Sequence, residues 1–169
     1  MMKILVTGCN GQVGRFLNKK LSAKKDVELL ACNRTSMDIT NPDAVIEIIR
    51  EFEPNFIINA AAHTAVDIAE SEIELSFAIN SLGAQYLAEA AKLVDAYIIH
   101  ISTDYVFPGD KDGLYIENDL TGPKSVYGQS KLAGEVAIAQ TCNKYIILRT
   151  AWVFSEYGGN FVKTMLFRI

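Results

Sequence analysis

Lys3-Ile4-Leu5-Val6-Thr7-Gly8-Cys9-Asn10-Gly11-Gln12-Val13-Gly14 decides how the chain folds. Four residues of strand character run straight into three glycines spaced G-x-x-G-x-x-G. A helical pattern follows at once, with Val13, Phe16, Leu17 and Leu21 along one face. In such a turn Gly8 permits a tight reversal, Gly11 lets backbone approach a pyrophosphate, and Gly14 lets the helix pack close to the strand. The free N–H groups of the helix start favour the phosphate's charge. Glycine-rich strand–helix turns also occur for purely structural reasons, so the triplet alone leaves both readings open.

Outward from this turn, apolar runs recur with helical segments between them. Strands are predicted near 3–7, 27–32, 56–60, 97–102 and 145–150, and helices near 12–24, 43–53, 71–94 and 126–141. The alternation predicts an α/β fold: a Rossmann-like, doubly wound parallel sheet with helices on both faces, occupying residues 1–169 as one domain. Runs such as Tyr145-Ile146-Ile147-Leu148 are continuous, as expected for strands covered on both sides. Asn41-Pro42-Asp43 reads as a helix start with Asn41 as its cap. The stretch 107–125 is the longest loop, and loops of that length are often functional. From Asn160 a last helix begins, carrying Phe161, Val162, Met165, Leu166 and Ile169 as one apolar stripe.

Half of the 169 residues are hydrophobic and 21% are charged, the balance of a globular protein. A net charge of −4 and no basic stretch argue against nucleic acid as a partner. Cys9, Cys32 and Cys142 are odd in number and widely spaced, which suits a reducing cytoplasm and gives neither a zinc site nor a disulfide framework. No metal is expected. Neither a signal peptide nor a membrane span stands out.

Tyr127-Gly128-Gln129-Ser130-Lys131 sets a phenol and an ammonium four residues apart on one helix face. A phenol can protonate a developing alkoxide, and a nearby ammonium lowers its pKa. A chance surface pair is the competing reading. Ser102-Thr103 at the end of the preceding strand adds hydroxyls where open α/β sheets bind ligands.

The glycine turn, Asn59-Ala60-Ala61-Ala62-His63-Thr64-Ala65-Val66-Asp67, Ser102-Thr103-Asp104-Tyr105-Val106-Phe107, Tyr127-Gly128-Gln129-Ser130-Lys131 and Arg149-Thr150-Ala151-Trp152-Val153 occur in order. Together they resemble the extended short-chain dehydrogenase/reductases, and within them the dTDP-4-dehydrorhamnose reductases. The resemblance implies reduction of the 4-keto group of dTDP-4-dehydro-L-rhamnose to dTDP-L-rhamnose. It implies Tyr127 as proton donor, Lys131 on the nicotinamide ribose while depressing the tyrosine pKa, and Thr103 on the keto oxygen. Gly11, Gln12 and Val13 match the pyrophosphate turn, Asp38-Ile39 the pair beside adenine, and Ala62-His63-Thr64 the segment lining the cofactor. Asp104 and Trp152, with Tyr105, match sugar contacts. Trp152 also reads as core filler, His63 as a packing residue, His100 as a satisfied core histidine, and Asp67 and Glu70 as a solvated helix start.

Cys32-Asn33-Arg34 stands where NAD-dependent proteins carry a carboxylate for the adenosine ribose. With Arg34 able to pair a 2′-phosphate, NADPH is expected, with NADH as the alternative and Arg34 as an exposed loop charge the competing reading. Family members continue beyond this length, so the sequence reads as the N-terminal part of a longer reductase without its substrate domain. It would act as a homo-oligomer or with a complementary C-terminal chain. A non-catalytic nucleotide-binding regulatory subunit is the alternative.

Overall fold

A computed structural model describes residues 1–166. Met2–Thr7 (β1), Val27–Ala31 (β2), Phe56–Asn59 (β3), Tyr97–Thr103 (β4) and Tyr145–Thr150 (β5) form one all-parallel sheet in the order β2-β1-β3-β4-β5. Parallel neighbours need crossovers. Gln12–Ser22 (α1) follows β1, Pro42–Phe52 (α2) follows β2, Gly83–Leu93 (α5) leads into β4, and Val126–Thr141 (α6) leads into β5. After β2 the chain passes back across β1, so the winding reverses between β1 and β3. That switch opens a crevice at the strands' carboxyl ends.

α2, α5 and α6 pack on one face of the sheet and α1 on the other. Strand register sets Leu5, Ile57 and Ile98 side by side. All three are buried, against Val45 and Ile49 of α2, Leu87 of α5 and Ile138 of α6. Each such side chain contributes about 1.5–3 kcal/mol by leaving water.

Two expectations give way. The helix predicted over 71–94 is built in pieces: Val66–Ala69 (α3) precedes it, Ile73–Phe77 (α4) opens it, and a π-helical turn over Ala78–Leu82 joins α4 to α5. Such widened turns are frequent at functional sites. The second concerns β5, which is not covered on both sides. Ile146 and Leu148 are 48% and 45% exposed. Register aligns them with Ile99 and Ile101, on the face where α1 serves β1 and β2 instead.

Phe161–Leu166 (α7) starts after Asn160, whose Oδ1 accepts from the Lys163 N–H at 3.1 Å. Phe161, Val162, Met165 and Leu166 are exposed as the apolar stripe predicts, while Ile169 lies outside the described residues. Among the described residues no helix is long and apolar enough to cross a membrane.

Asn41 caps α2 as read from the sequence, accepting from the Asp43 and Ala44 N–H groups at 3.1 and 3.2 Å with Pro42 in the first turn. Asn41→Ala should therefore lower stability by about 1 kcal/mol, visible as a shift in the urea midpoint with unchanged slope.

Candidate active site

The glycine turn forms at the switch between β1 and β3. Gly8 has φ 63°, and a Cβ there would stand 2.7 Å from the Ala60 carbonyl oxygen at the end of β3. A Cβ on Gly14 would collide with the Gly8 carbonyl and reach within 2.7 Å of Cys9 Cα. Helix, turn and strand end thus meet at backbone distance. Gly11 is the α1 cap residue and offers no side-chain acceptor. The first-turn N–H groups, including those of Gln12 and Val13, therefore have no side-chain cap from it. The Gln12 side chain is committed elsewhere: it donates to the Val153 carbonyl at 2.9 Å and accepts from Asn160 at 2.9 Å.

A cleft of about 300 Å³ lies beside this turn, lined by Gly8, Gly11, Arg34, Asp38, Ile39 and Ala62 among others. These residues come from four separate stretches of the sequence. Arg34 is 79% exposed by side chain and its Nε sits 3.6 Å from the Asp38 carboxylate. Thr40 hydrogen bonds first, then Arg34, hold the Asp38 carboxyl below its ordinary range.

Ala62-His63-Thr64 is held by a residue with no sequence signal. Asn80, on the π-helical turn and buried, accepts the His63 N–H at 2.8 Å and donates to the His63 carbonyl at 3.0 Å. It also donates to the Ser130 hydroxyl of α6 at 2.9 Å. The His63 ring rests between Ser76 (2.9 Å) and Glu72 (3.2 Å). Thr64 is exposed.

At the end of β4, Thr103 caps the 3₁₀ turn Asp104–Val106 by accepting the Tyr105 N–H. Its hydroxyl also acts on the Tyr127 phenol, which burial pushes above the ordinary tyrosine value and Thr103 pulls back. The phenol is thus raised, not depressed as expected of a neighbour of Lys131. The Lys131 side chain turns inward instead: Nζ stands 2.6 Å from the Ile101 carbonyl and 3.2 Å from His100 Nε2, in a residue 1% exposed. Burial lowers Lys131 from 10.5 to about 8, with Glu135 opposing.

A second cleft, about 490 Å³, is lined by Asp104, Tyr105, Phe107, Lys124 and Trp152 among others. Tyr105 crosses Tyr127 edge-on, with ring centroids 5.6 Å apart. Trp152 is 74% exposed, which removes the core-filler reading.

Ser102 does not share Thr103's task. Its hydroxyl donates to Glu135 at 2.5 Å, and Glu135 binds Arg149 of β5 through both carboxylate oxygens. Arg149 also lies 4.8 Å over the Phe107 ring and donates to the Glu117 carbonyl, fastening the 107–125 loop. Glu135 was legible in principle, lying on the Tyr127–Lys131 helix face at the next i+4 position. Glu70, read as solvated, accepts the Val126 N–H at 2.8 Å and so caps the start of α6. Among the described residues no three His, Cys, Asp or Glu side chains gather as a metal site.

A glycine cradle at the switch point, with Thr103, Tyr127 and Lys131 one strand further along, defines an extended short-chain dehydrogenase/reductase. The chain belongs to the family described as RmlD substrate binding domain, whose profile matches residues 2–169. It is 52% identical over 166 residues to the dTDP-4-dehydrorhamnose reductase of Aggregatibacter actinomycetemcomitans, covering 98% of this chain and 56% of that protein. The crystal structure of a dTDP-4-dehydrorhamnose reductase from Clostridium acetobutylicum superposes with a TM-score of 0.96 at 47% identity, over 99% of this chain and 59% of that one. The Bacillus anthracis reductase in complex with NADP gives 0.93 at 42% identity, over 98% and 59%. The chain spans little more than half the length of these relatives.

Because Lys131 is lowered to about 8 in the folded state and returns to 10.5 on unfolding, the unfolded chain binds the extra proton between those values. Stability contributed by this residue therefore rises with pH across that window and is flat below it. Urea unfolding at pH 7 and pH 10 should show the wild type gaining on the order of 2–3 kcal/mol relative to Lys131→Met.

Proposed function

We propose that the chain supplies the dinucleotide-binding and catalytic part of an NADPH-dependent reductase acting on the 4-keto group of dTDP-4-dehydro-L-rhamnose. One observation carries the reading: a glycine cradle opens one cleft at the switch point of the sheet, and Tyr105, which lines the second cleft with Asp104 and Trp152, crosses the Tyr127 ring edge-on at 5.6 Å. The names of the relatives support the same reaction, and a relative solved with NADP supports the cofactor.

The glycine cradle and the α1 start without a side-chain cap fit a pyrophosphate. When bound, the reduced nicotinamide supplies the hydride. Arg34 would exchange part of its contact with Asp38 for a 2′-phosphate. Lys131 uses two of its directions on Ile101 and His100, leaving a further N–H for a ribose hydroxyl. Tyr127, with its pKa raised, is fully protonated at neutral pH and so holds the proton that a 4-keto oxygen needs. Thr103 orients that oxygen from the strand end. In the second cleft Asp104, Tyr105 and Trp152 offer a carboxylate and aromatic faces for a sugar.

In the full-length reductase, Tyr127→Phe should lower turnover roughly 100- to 10,000-fold with little change in cofactor affinity. Near-normal turnover would remove Tyr127 from the mechanism. Nucleotide titration of Arg34→Ala should show NADPH weakened at least about ten-fold more than NADH, since only NADPH carries the phosphate. Equal losses would make Arg34 a bystander.

A further inference from the structure

We infer that His100 is a positioning residue for Lys131, presenting an imidazole N–H to the lysine nitrogen at the end of a buried row formed by Thr7, Asn59 and His100. The inference rests on the reading that Lys131 serves the dinucleotide.

Strand register places Thr7 of β1 beside Asn59 of β3, and Asn59 beside His100 of β4. They lie on the same face as the apolar row Leu5, Ile57 and Ile98, two residues further along each strand. All three are buried, and a polar row there is costly unless every group finds a partner. Here each does, and the partners fix the direction of every proton.

The Ala61 N–H lies 3.2 Å from both Thr7 Oγ1 and Asn59 Oδ1, and Thr7 Oγ1 donates to Asn59 Oδ1 at 2.7 Å. Turning the Asn59 amide over would set its NH₂ against the Ala61 N–H. Oδ1 therefore stays toward Ala61, and Nδ2 donates to His100 Nδ1 at 3.0 Å. An Nδ1 that accepts leaves the imidazole proton on Nε2. That N–H meets Lys131 Nζ at 3.2 Å. A nitrogen can accept there only as a neutral amine, while its own N–H goes to the Ile101 carbonyl at 2.6 Å.

The charged surroundings agree. Burial first, then Lys131, keep His100 well below the ordinary histidine value, so it carries no second proton. From β1 and β3 only the uncharged Thr7 and Asn59 join this row. Toward Lys131, Glu135 of the same helix is the charged group, and its oxygens are already engaged by Ser102 and by Arg149 from β5. The lysine's descent to about 8 is what this arrangement requires. Ala61 lines the dinucleotide cleft, so the row connects backbone at that cleft to the lysine through the side chains of Asn59 and His100. Charging Lys131 takes one proton from solvent and sets a donor against the Nε2–H.

Histidine ring-nitrogen NMR of the ligand-free 169-residue chain, with His100 identified by His100→Gln, tests this without any assay of activity. The expected result is a neutral His100 protonated on Nε2 at pH 9, with the labelled Lys131 side chain titrating near pH 8. A proton on Nδ1 at pH 9, an imidazolium at pH 7, or a lysine still charged at pH 10 overturns the inference. Dinucleotide affinity against pH supplies the second readout. The wild type should inflect near pH 8, and His100→Gln, which keeps an N–H toward Nζ, should stay within about threefold of it. His100→Leu, checked for folding by its melting curve, should move the inflection by about one pH unit or more. Identical profiles for all three proteins overturn the positioning role. Absence of dinucleotide binding with the expected ring-nitrogen pattern overturns the functional reading and leaves the proton arrangement standing.

Discussion

Backbone contact between the Gly8–Cys9 turn and the first turn of α1 at Gly14 is the constraint on which the other features rest. No side chain fits in that space, so the helix start is driven down onto the turn and the turn onto the end of β3 at Ala60 and Ala61. Three consequences follow from one close approach. The α1 N–H groups are placed at the switch point of the sheet. Ala61 is held where it pins the direction of Asn59, and the cleft acquires a floor of backbone rather than side chains. A methyl group on Gly14 would separate these surfaces, an overpacking cost of about 1–3 kcal/mol.

The two halves of the site are joined by single polar residues that bridge elements. Asn80 ties the Ala62–Thr64 segment to Ser130 on α6, and the π-helical turn is what aims it there. Glu135 ties α6 to β4 and β5. Each bridge is buried and fully partnered, so the cleft and α6 share one set of positions. The price is a site in which few of these groups tolerate replacement, because removing one partner strands another away from water.

Much of this was legible in the residues. Strand runs, the helix runs other than 71–94, the Asn41 cap and the glycine turn are local signals, and they form as read. The second cleft brings Asp104, Tyr105 and Trp152 together from two separate motifs. What escaped reading depends on pairs far apart in the chain. Nothing near Asn80 distinguishes it from a polar residue on a helix surface, and its meaning comes from Ser130 fifty positions on. His100 reads correctly as a satisfied core histidine, yet its partner Lys131 is visible only once β4 and α6 are packed. The exposed face of β5 escaped for a different reason: a continuous apolar run says that a strand is buried in some assembly of elements, not which ones.

The loop over 107–125 closes upon itself. Gly122 donates to the Val106 carbonyl at 3.0 Å, Tyr115 accepts two backbone N–H groups, and Lys111 pairs with Asp119 at 2.6 Å. Its two ends are therefore fixed to each other before either is fixed to the sheet. Lengthening such a loop costs little, about 0.6 kcal/mol for each doubling. Residues inserted near its tip would alter the wall of the second cleft while β4, α6 and the hydroxyls of Thr103 and Tyr127 kept their places. The wall of that cleft can thus be reshaped by changes of length in one segment, a route of divergence that leaves the core untouched.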